Sequence, residues 1–168
     1  MTDTERTAAL ERLMAAYGDG IKRFCALQLC DRFQAEDAAQ DTFVKAWKAL
    51  DRFRNESSEK TWLMKIAVHV CRDYQRTGWF RHVERRFTAE EMPERAADAP
   101  FPDGDVSRAV AALPARLRTA VLLRYYQALP VRDVAEALGV SHATAKRMLK
   151  KANGLLREQL EGWYDDEE

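Results

Sequence analysis

The stretch Val131–Ala152, VRDVAEALGVSHATAKRMLKKA, constrains the fold more than any other part of the chain. Val131, Val134, Ala135 and Leu138 recur at the three- and four-residue spacing of a short amphipathic helix. Gly139, Val140 and Ser141 follow as a tight turn. A longer helix then runs from His142 to Leu160, with Ala145, Met148, Leu149, Ala152 and Leu156 facing inward. A helix-turn-helix needs a small residue where its helices approach and a Gly entering the turn. It also needs an apolar residue after the turn and a polar start to the second helix. Ala135, Gly139, Val140 and Ser141 to Thr144 meet these demands in that order.

In such a unit the early residues of the second helix reach base edges and later basic residues hold phosphates. Ser141, His142 and Thr144 are therefore the expected readers. Lys146, Arg147, Lys150 and Lys151 are expected at phosphates, extended by Arg124 and Arg132.

Formal net charge is zero, but the charges are segregated. Lys60 to Arg86 holds seven Lys or Arg against two acids, and Val106 to Arg157 holds ten against two. Between them, Ala89 to Asp105 has six acids and one Arg, and Glu158 to Glu168 has six acids and no base. Two basic blocks interrupted and followed by acidic ones suit a bipartite nucleic-acid binder. The expected organisation is a first helical domain over 1–87, an acidic linker carrying Pro and Gly over 88–105, and the helix-turn-helix domain with its acidic tail over 106–168. The fold class is all-α, two small helical domains joined by a flexible linker.

The first domain reads as helices as well. Leu10, Leu13, Met14, Tyr17, Ile21, Phe24, Cys25 and Leu29 keep helical spacing, with a possible break at Gly18-Asp19-Gly20. Gln34 to Phe53 predicts a second helix with an apolar stripe of Ala38, Ala39, Thr42, Phe43, Ala46, Trp47 and Leu50. After a polar loop, Arg54 to Lys60, a third helix starts near Lys60, capped by Ser58 or a neighbour, with Trp62, Leu63, Ile66, Ala67, Val70, Cys71 and Tyr74 on its apolar side. In the second domain Leu117, Val121, Leu122 and Tyr125 form another core stripe.

Other chemistry has little support. Cys25, Cys30 and Cys71 are too few for a zinc site and odd in number for disulfides, so they are expected as buried free thiols. No metal or other cofactor is expected. His69 and Cys71 lie two apart and do not share a helix face, which argues against an enzyme. No run is apolar enough to span a membrane and the N-terminus is not a signal peptide, so no direct membrane insertion and a cytoplasmic location are expected.

AEDAAQDTFVKAWKALDRF followed by KTWLMKIAVHVCRDYQR closely resembles the second region of bacterial sigma factors of the sigma-70 family, in particular the small extracytoplasmic-function group. LPARLRTAVLLRYYQALPVRDVAEALGVSHATAKRMLKKANGLLR is similar to that family's fourth region, and the two stand in the family's order. The resemblance implies a protein that joins core RNA polymerase, through its largest and second-largest subunits, and directs it to promoter DNA. Asp37, Gln40, Asp41 and Lys45 fall where the family grips the polymerase clamp. Arg54, Asn55, Ser57 and Ser58 match the loop that captures a flipped minus-10 base, with Lys60, Thr61, Trp62, Lys65, His69, Arg72 and Arg76 on or near the following helix. The helix-turn-helix then corresponds to the minus-35 reader. This chain departs from the family pattern at Val68, His69 and Met148, so promoter preference does not carry over.

The acidic linker sits where relatives thread a connector through the polymerase, and its charge is expected to mimic RNA there. An anti-sigma factor is expected to cover the Asp37–Asp41 face and the basic helices, and to hold the protein near the membrane. The alternative is a helix-turn-helix repressor or regulator that never joins polymerase. That reading would need a dimerisation seam or a sensor pocket, and the first domain has neither a Gly-rich phosphate loop nor a phosphoacceptor arrangement.

Overall fold

A computed structural model describes residues 1–77 and 104–164, with side chains to residue 160. Residues 78–87 of the expected first domain, residues 88–103 of the expected linker with its acids, and the end of the acidic tail, Asp165 to Glu168, lie outside the described residues, whereas Gly104 and Asp105, expected as linker, already begin a helix. Every regular element among those described is helical. The first cluster comprises α1 (Asp3–Leu29), α2 (Arg32–Ala49), a short 3-10 turn (Leu50–Arg52) and α3 (Glu59–Arg76). The second comprises α4 (Gly104–Ala111), α5 (Ala115–Val121), a π-helical turn (Leu122–Tyr126), α6 (Val131–Leu138) and α7 (His142–Tyr164).

Helix α1 begins with a capping box. The Thr2 hydroxyl accepts from the Glu5 amide, and the Glu5 carboxylate accepts from the Thr2 amide. The helix passes without interruption through Gly18, Asp19 and Gly20, where the sequence suggested a break. Two glycines cost a helix about 1 kcal/mol each. Leu13, Ile21, Phe24 and Leu29 are fully buried on both sides of that point, and each such side chain contributes about 1.5 to 3 kcal/mol. Burial therefore outweighs propensity. Asp31 caps α2 by accepting from the amides of Phe33 and Gln34, which sets its start two residues before the expected Gln34.

Arg6 joins α1 to α2 by lying over the Trp47 ring, 4.7 Å from its centroid, and by pairing with Asp51. Trp47 is half-buried, as a ring covered by a guanidinium would be. Two further expectations are corrected. Cys30 is half-buried, because it forms the left-handed C-cap of α1 (φ 55°), whereas Cys25 and Cys71 are buried with thiols 3.7 Å apart. Tyr125 is 54% exposed instead of lying in the core stripe. Its position follows from the π-helical turn, in which Gln127 N–H donates to the Leu122 carbonyl five residues back. The wider turn rotates the following residues out of the α-helical register, and the Tyr125 hydroxyl accepts from Asn153.

The two clusters pack against each other, and buried residues from both form one hydrophobic core. Helix α3 shows how. Leu63, Ala67, Val70 and Cys71 are buried as expected, but Thr61, Met64 and Val68 on a second face are buried too. Thr61 donates to the Asp133 carboxylate of α6, so that second face is turned toward the second cluster.

Candidate nucleic-acid interface

Three surfaces carry the residues singled out by sequence. On α2, Asp37, Gln40, Asp41 and Lys45 are all exposed. Asp41 accepts from the Tyr74 hydroxyl at 2.7 Å, and Lys45 lies 3.7 Å from Asp73, so α3 braces this face from behind. Burial, then the Asp41 contact, push the Tyr74 phenol well above its ordinary value, which keeps it a neutral donor. Two apolar side chains that sequence reasoning missed stand on the same face. Phe33 is 72% exposed and Val44 51%. Placing residues 33, 37, 40, 41 and 44 at helical spacing reveals that common face from sequence alone.

The second surface is the loop and the outer side of α3. Ser58 caps α3 by accepting from the Thr61 amide, and the Phe53 and Trp62 rings stack at 4.7 Å. The stack ties the two ends of the loop together, leaving Arg54, Asn55 and Ser58 exposed and Ser57 half-buried. Asn55 turns the chain through the left-handed region at φ 57°, which Asn tolerates better than most residues. Trp62 is thus a half-buried ring with one face against Phe53.

Beyond it, Lys65, His69, Arg72 and Arg76 recur at four, three and four residues and form one stripe. Partial burial, followed by Arg72 and Lys65, lowers the His69 pKa and favours a neutral imidazole. Lys60 and Thr61 do not share this open surface. The Lys60 ammonium donates to the Gln127 carbonyl at 2.5 Å, and Thr61 is buried against Asp133.

The third surface is α7. Gly139 ends α6 in the left-handed region (φ 69°), a conformation strained for any residue with a Cβ. Ser141 accepts from the Thr144 amide, so it caps α7; its hydroxyl also contacts Thr144, to which Arg147 donates. Ser141 and His142 are exposed at the N-terminus and Thr144 is half-buried. Lys146, Arg147, Lys150 and Lys151 are exposed, while Ala145, Leu149 and Ala152 point into the core. Arg132 is exposed near Asp133, whereas Arg124 donates to the Leu129 carbonyl and braces the entry to α6.

A family model described as Sigma-70 region 2 matches residues 13–81, and one described as Sigma-70, region 4 matches residues 103–152. The chain belongs to the sigma-70 family of RNA polymerase sigma factors, in its extracytoplasmic-function group. It is 33% identical to the ECF RNA polymerase sigma factor SigC of Mycobacterium tuberculosis, over 88% of this chain and 81% of that one. It is 31% identical to the RNA polymerase sigma factor SigV of Bacillus subtilis, over 75% of each. The fold matches the sigma factor RpoE solved in complex with the anti-sigma factor NepR from Bartonella quintana. The TM-score is 0.72 at 24% identity, covering 90% of this chain and 96% of that one. Membership makes this chain a transcription initiation factor and not an enzyme.

As a sigma factor it carries both matched regions on one polypeptide, and the α6–α7 turn with the start of α7, to residue 152, lies within the fourth. Among the described residues no helix is long and apolar enough to cross a membrane.

Proposed function

We propose that this sigma factor docks on the clamp of core polymerase through the Asp37, Gln40, Asp41 and Lys45 face of α2. It then reads the minus-35 element as duplex through α7 and captures the minus-10 element as separated strand through the 54–58 loop and the α3 stripe. The observation that carries this reading is the difference in shape between the two basic surfaces. Helix α7 is a convex rod with exposed polar residues at its N-terminus and lysines behind them, a form that enters a major groove. The loop and stripe offer hydrogen-bonding groups beside a braced aromatic pair and a line of cations, a form that suits an unstacked base and its backbone.

Capture of an extruded base stabilises the opened strand and so assists melting. Phe33 and Val44 give the α2 face apolar support around its charges, the composition of a specific protein interface. The Bartonella quintana complex supports an anti-sigma factor as a further partner class for this chain. Such a partner would cover the α2 face and the basic helices, and a membrane-anchored one would hold the protein at the cytoplasmic side.

The test is run-off transcription with sigma-free bacterial core polymerase on a pool of promoter fragments, with wild type and an Asp37→Ala, Gln40→Ala, Asp41→Ala variant. Protein-dependent transcripts from a restricted set of start sites, lost in the variant, are expected. Retained duplex binding with no core binding and no transcript would contradict the reading and favour a regulator acting without polymerase.

A further inference from the structure

The π-helical turn after α5 puts an aromatic side chain outside where helical spacing expects core. An α-helical continuation from Leu117 and Val121 would bury Tyr125. The wider turn, closed by the Gln127 amide on the Leu122 carbonyl, carries it outward until 54% of it is exposed. Single π turns within helices recur at functional sites.

The exposed ring is pinned. Its hydroxyl oxygen accepts from the Asn153 side-chain amide at 2.9 Å, which fixes it against the flank of α7. Because that oxygen serves as acceptor, the phenolic proton is left to donate outward, and Asn153 carries a second amide N–H. Helical spacing brings cations to the same edge. Lys150 precedes Asn153 by one turn, Lys146 by two, and Arg157 follows by one; all three are exposed. The other residues of α7 at that spacing, Leu149 and Leu156, are apolar, so two neutral donors stand among cations with no acid in the row. The α2 face, by contrast, mixes both signs of charge with apolar side chains, as a protein contact does. The unmixed edge of α7 suits a phosphate.

Position along the helix says which phosphate. At about 1.5 Å per residue, Asn153 stands roughly 17 Å along α7 from His142. The major groove is about 12 Å wide. A helix whose first turn touches base edges has therefore crossed the groove wall by Asn153, which lies at the sugar-phosphate rim.

We propose that Tyr125 and Asn153 form a phosphate notch of the duplex reader. The phenol O–H and the amide N–H donate to the oxygens of one backbone phosphate flanking the minus-35 element, and Lys150 and Arg157 offset its charge. The notch reads no base. It fixes how deeply α7 is seated, and so sets the register in which Ser141, His142 and Thr144 meet the base edges. The inference rests on the duplex-reading role proposed for α7.

The test uses the full chain assembled with core polymerase, on duplex promoter fragments that the wild type retains. Tyr125→Phe keeps the ring and removes the hydroxyl. It is expected to weaken retention about tenfold on every fragment, as loss of a hydrogen bond to a charged group should. The salt dependence should keep its slope, because no cation is lost, whereas Lys150→Ala should flatten that slope by about one unit. Duplexes each carrying a single methylphosphonate then locate the contact: at one position the substitution weakens wild type and leaves Tyr125→Phe unaffected. Asn153→Ala is expected to resemble Tyr125→Phe, with less than additive loss in the double variant.

Unchanged retention by Tyr125→Phe, or a methylphosphonate profile identical to that of wild type, would overturn the notch. So would weaker core binding by Tyr125→Phe with retention per complex intact, which would assign the ring to a polymerase contact. Lys146→Ala with Arg147→Ala is the control. If that pair also leaves retention unchanged, the duplex-reading role of α7 fails as a whole; loss there with none in Tyr125→Phe strikes the notch alone.

Discussion

Helix α7 and helix α3 each present a basic stripe, but they reach it by different routes. Helix α7 is amphipathic in the simple sense: Ala145, Leu149 and Ala152 are buried, and the cations face outward. Helix α3 is packed on two sides, with Leu63, Ala67 and Val70 toward its own cluster and Thr61, Met64 and Val68 on the face turned to the second, so only a narrow strip remains open. A groove reader has to project from the body, whereas a strand reader can be partly enclosed, because a single strand bends to meet it. On the proposed reading, α7 offers its cations on an open face while α3 offers only the strip of Lys65, His69, Arg72 and Arg76.

The largest expected effect tests the enclosed side. Arg118→Ala removes the guanidinium that the carbonyls of Gln28, Ala111 and Leu113 share, and charged hydrogen bonds of this kind predict a loss of about 3 kcal/mol in chemical denaturation. An equally stable variant would show that the contact between clusters contributes little to the fold.

On the open side, Gly139→Ala meets no neighbour within 4 Å, so its penalty comes from the left-handed backbone alone, about 1 to 2 kcal/mol. It should weaken duplex binding by displacing α7 and leave strand capture unaltered. Binding titrations with each form of DNA check this.

The two N-caps offer a matched pair. Ser141→Ala and Ser58→Ala each remove one cap, worth about 1 kcal/mol. Ser58 also contacts Thr61, which bonds Asp133, so its loss should loosen the docked form as well. Amide exchange should quicken in α6 for Ser58→Ala, while Ser141→Ala affects only α7.

The smallest effect is a pH dependence. The His69 pKa lies below its ordinary value of about 6.5, chiefly through burial and then through Arg72 and Lys65. Its neutral form therefore supports the fold fully above that value, and the contribution is lost as pH falls from there through the folded-state pKa. His69→Gln should flatten the acid side of the stability profile over that interval.

Much of this was legible in the sequence where local rules are strong. The α6–α7 turn, with Gly139 and Ser141, follows from spacing and capping chemistry, and the Ser58 cap and α2 stripe follow in the same way. What escaped depends on contacts distant in sequence. Continuity through Gly18 and Gly20 is decided by what Ile21 and Phe24 touch. The π-helical turn that exposes Tyr125 has no periodic signal. Gln28, Gln127 and Asp133 look like ordinary surface residues until the clusters meet. The second buried face of α3 was hidden because Met64 and Val68 lie just off the stripe that packs within the first cluster.

The most direct test of two distinct readers is permanganate reactivity of promoter thymines beside duplex retention, measured on the same polymerase complexes. Lys146→Ala with Arg147→Ala should reduce retention while leaving strand opening per bound complex unchanged; Asn55→Ala with Ser57→Ala should do the reverse. Equal loss of retention and opening from both pairs would contradict the division of labour between α7 and the loop with α3.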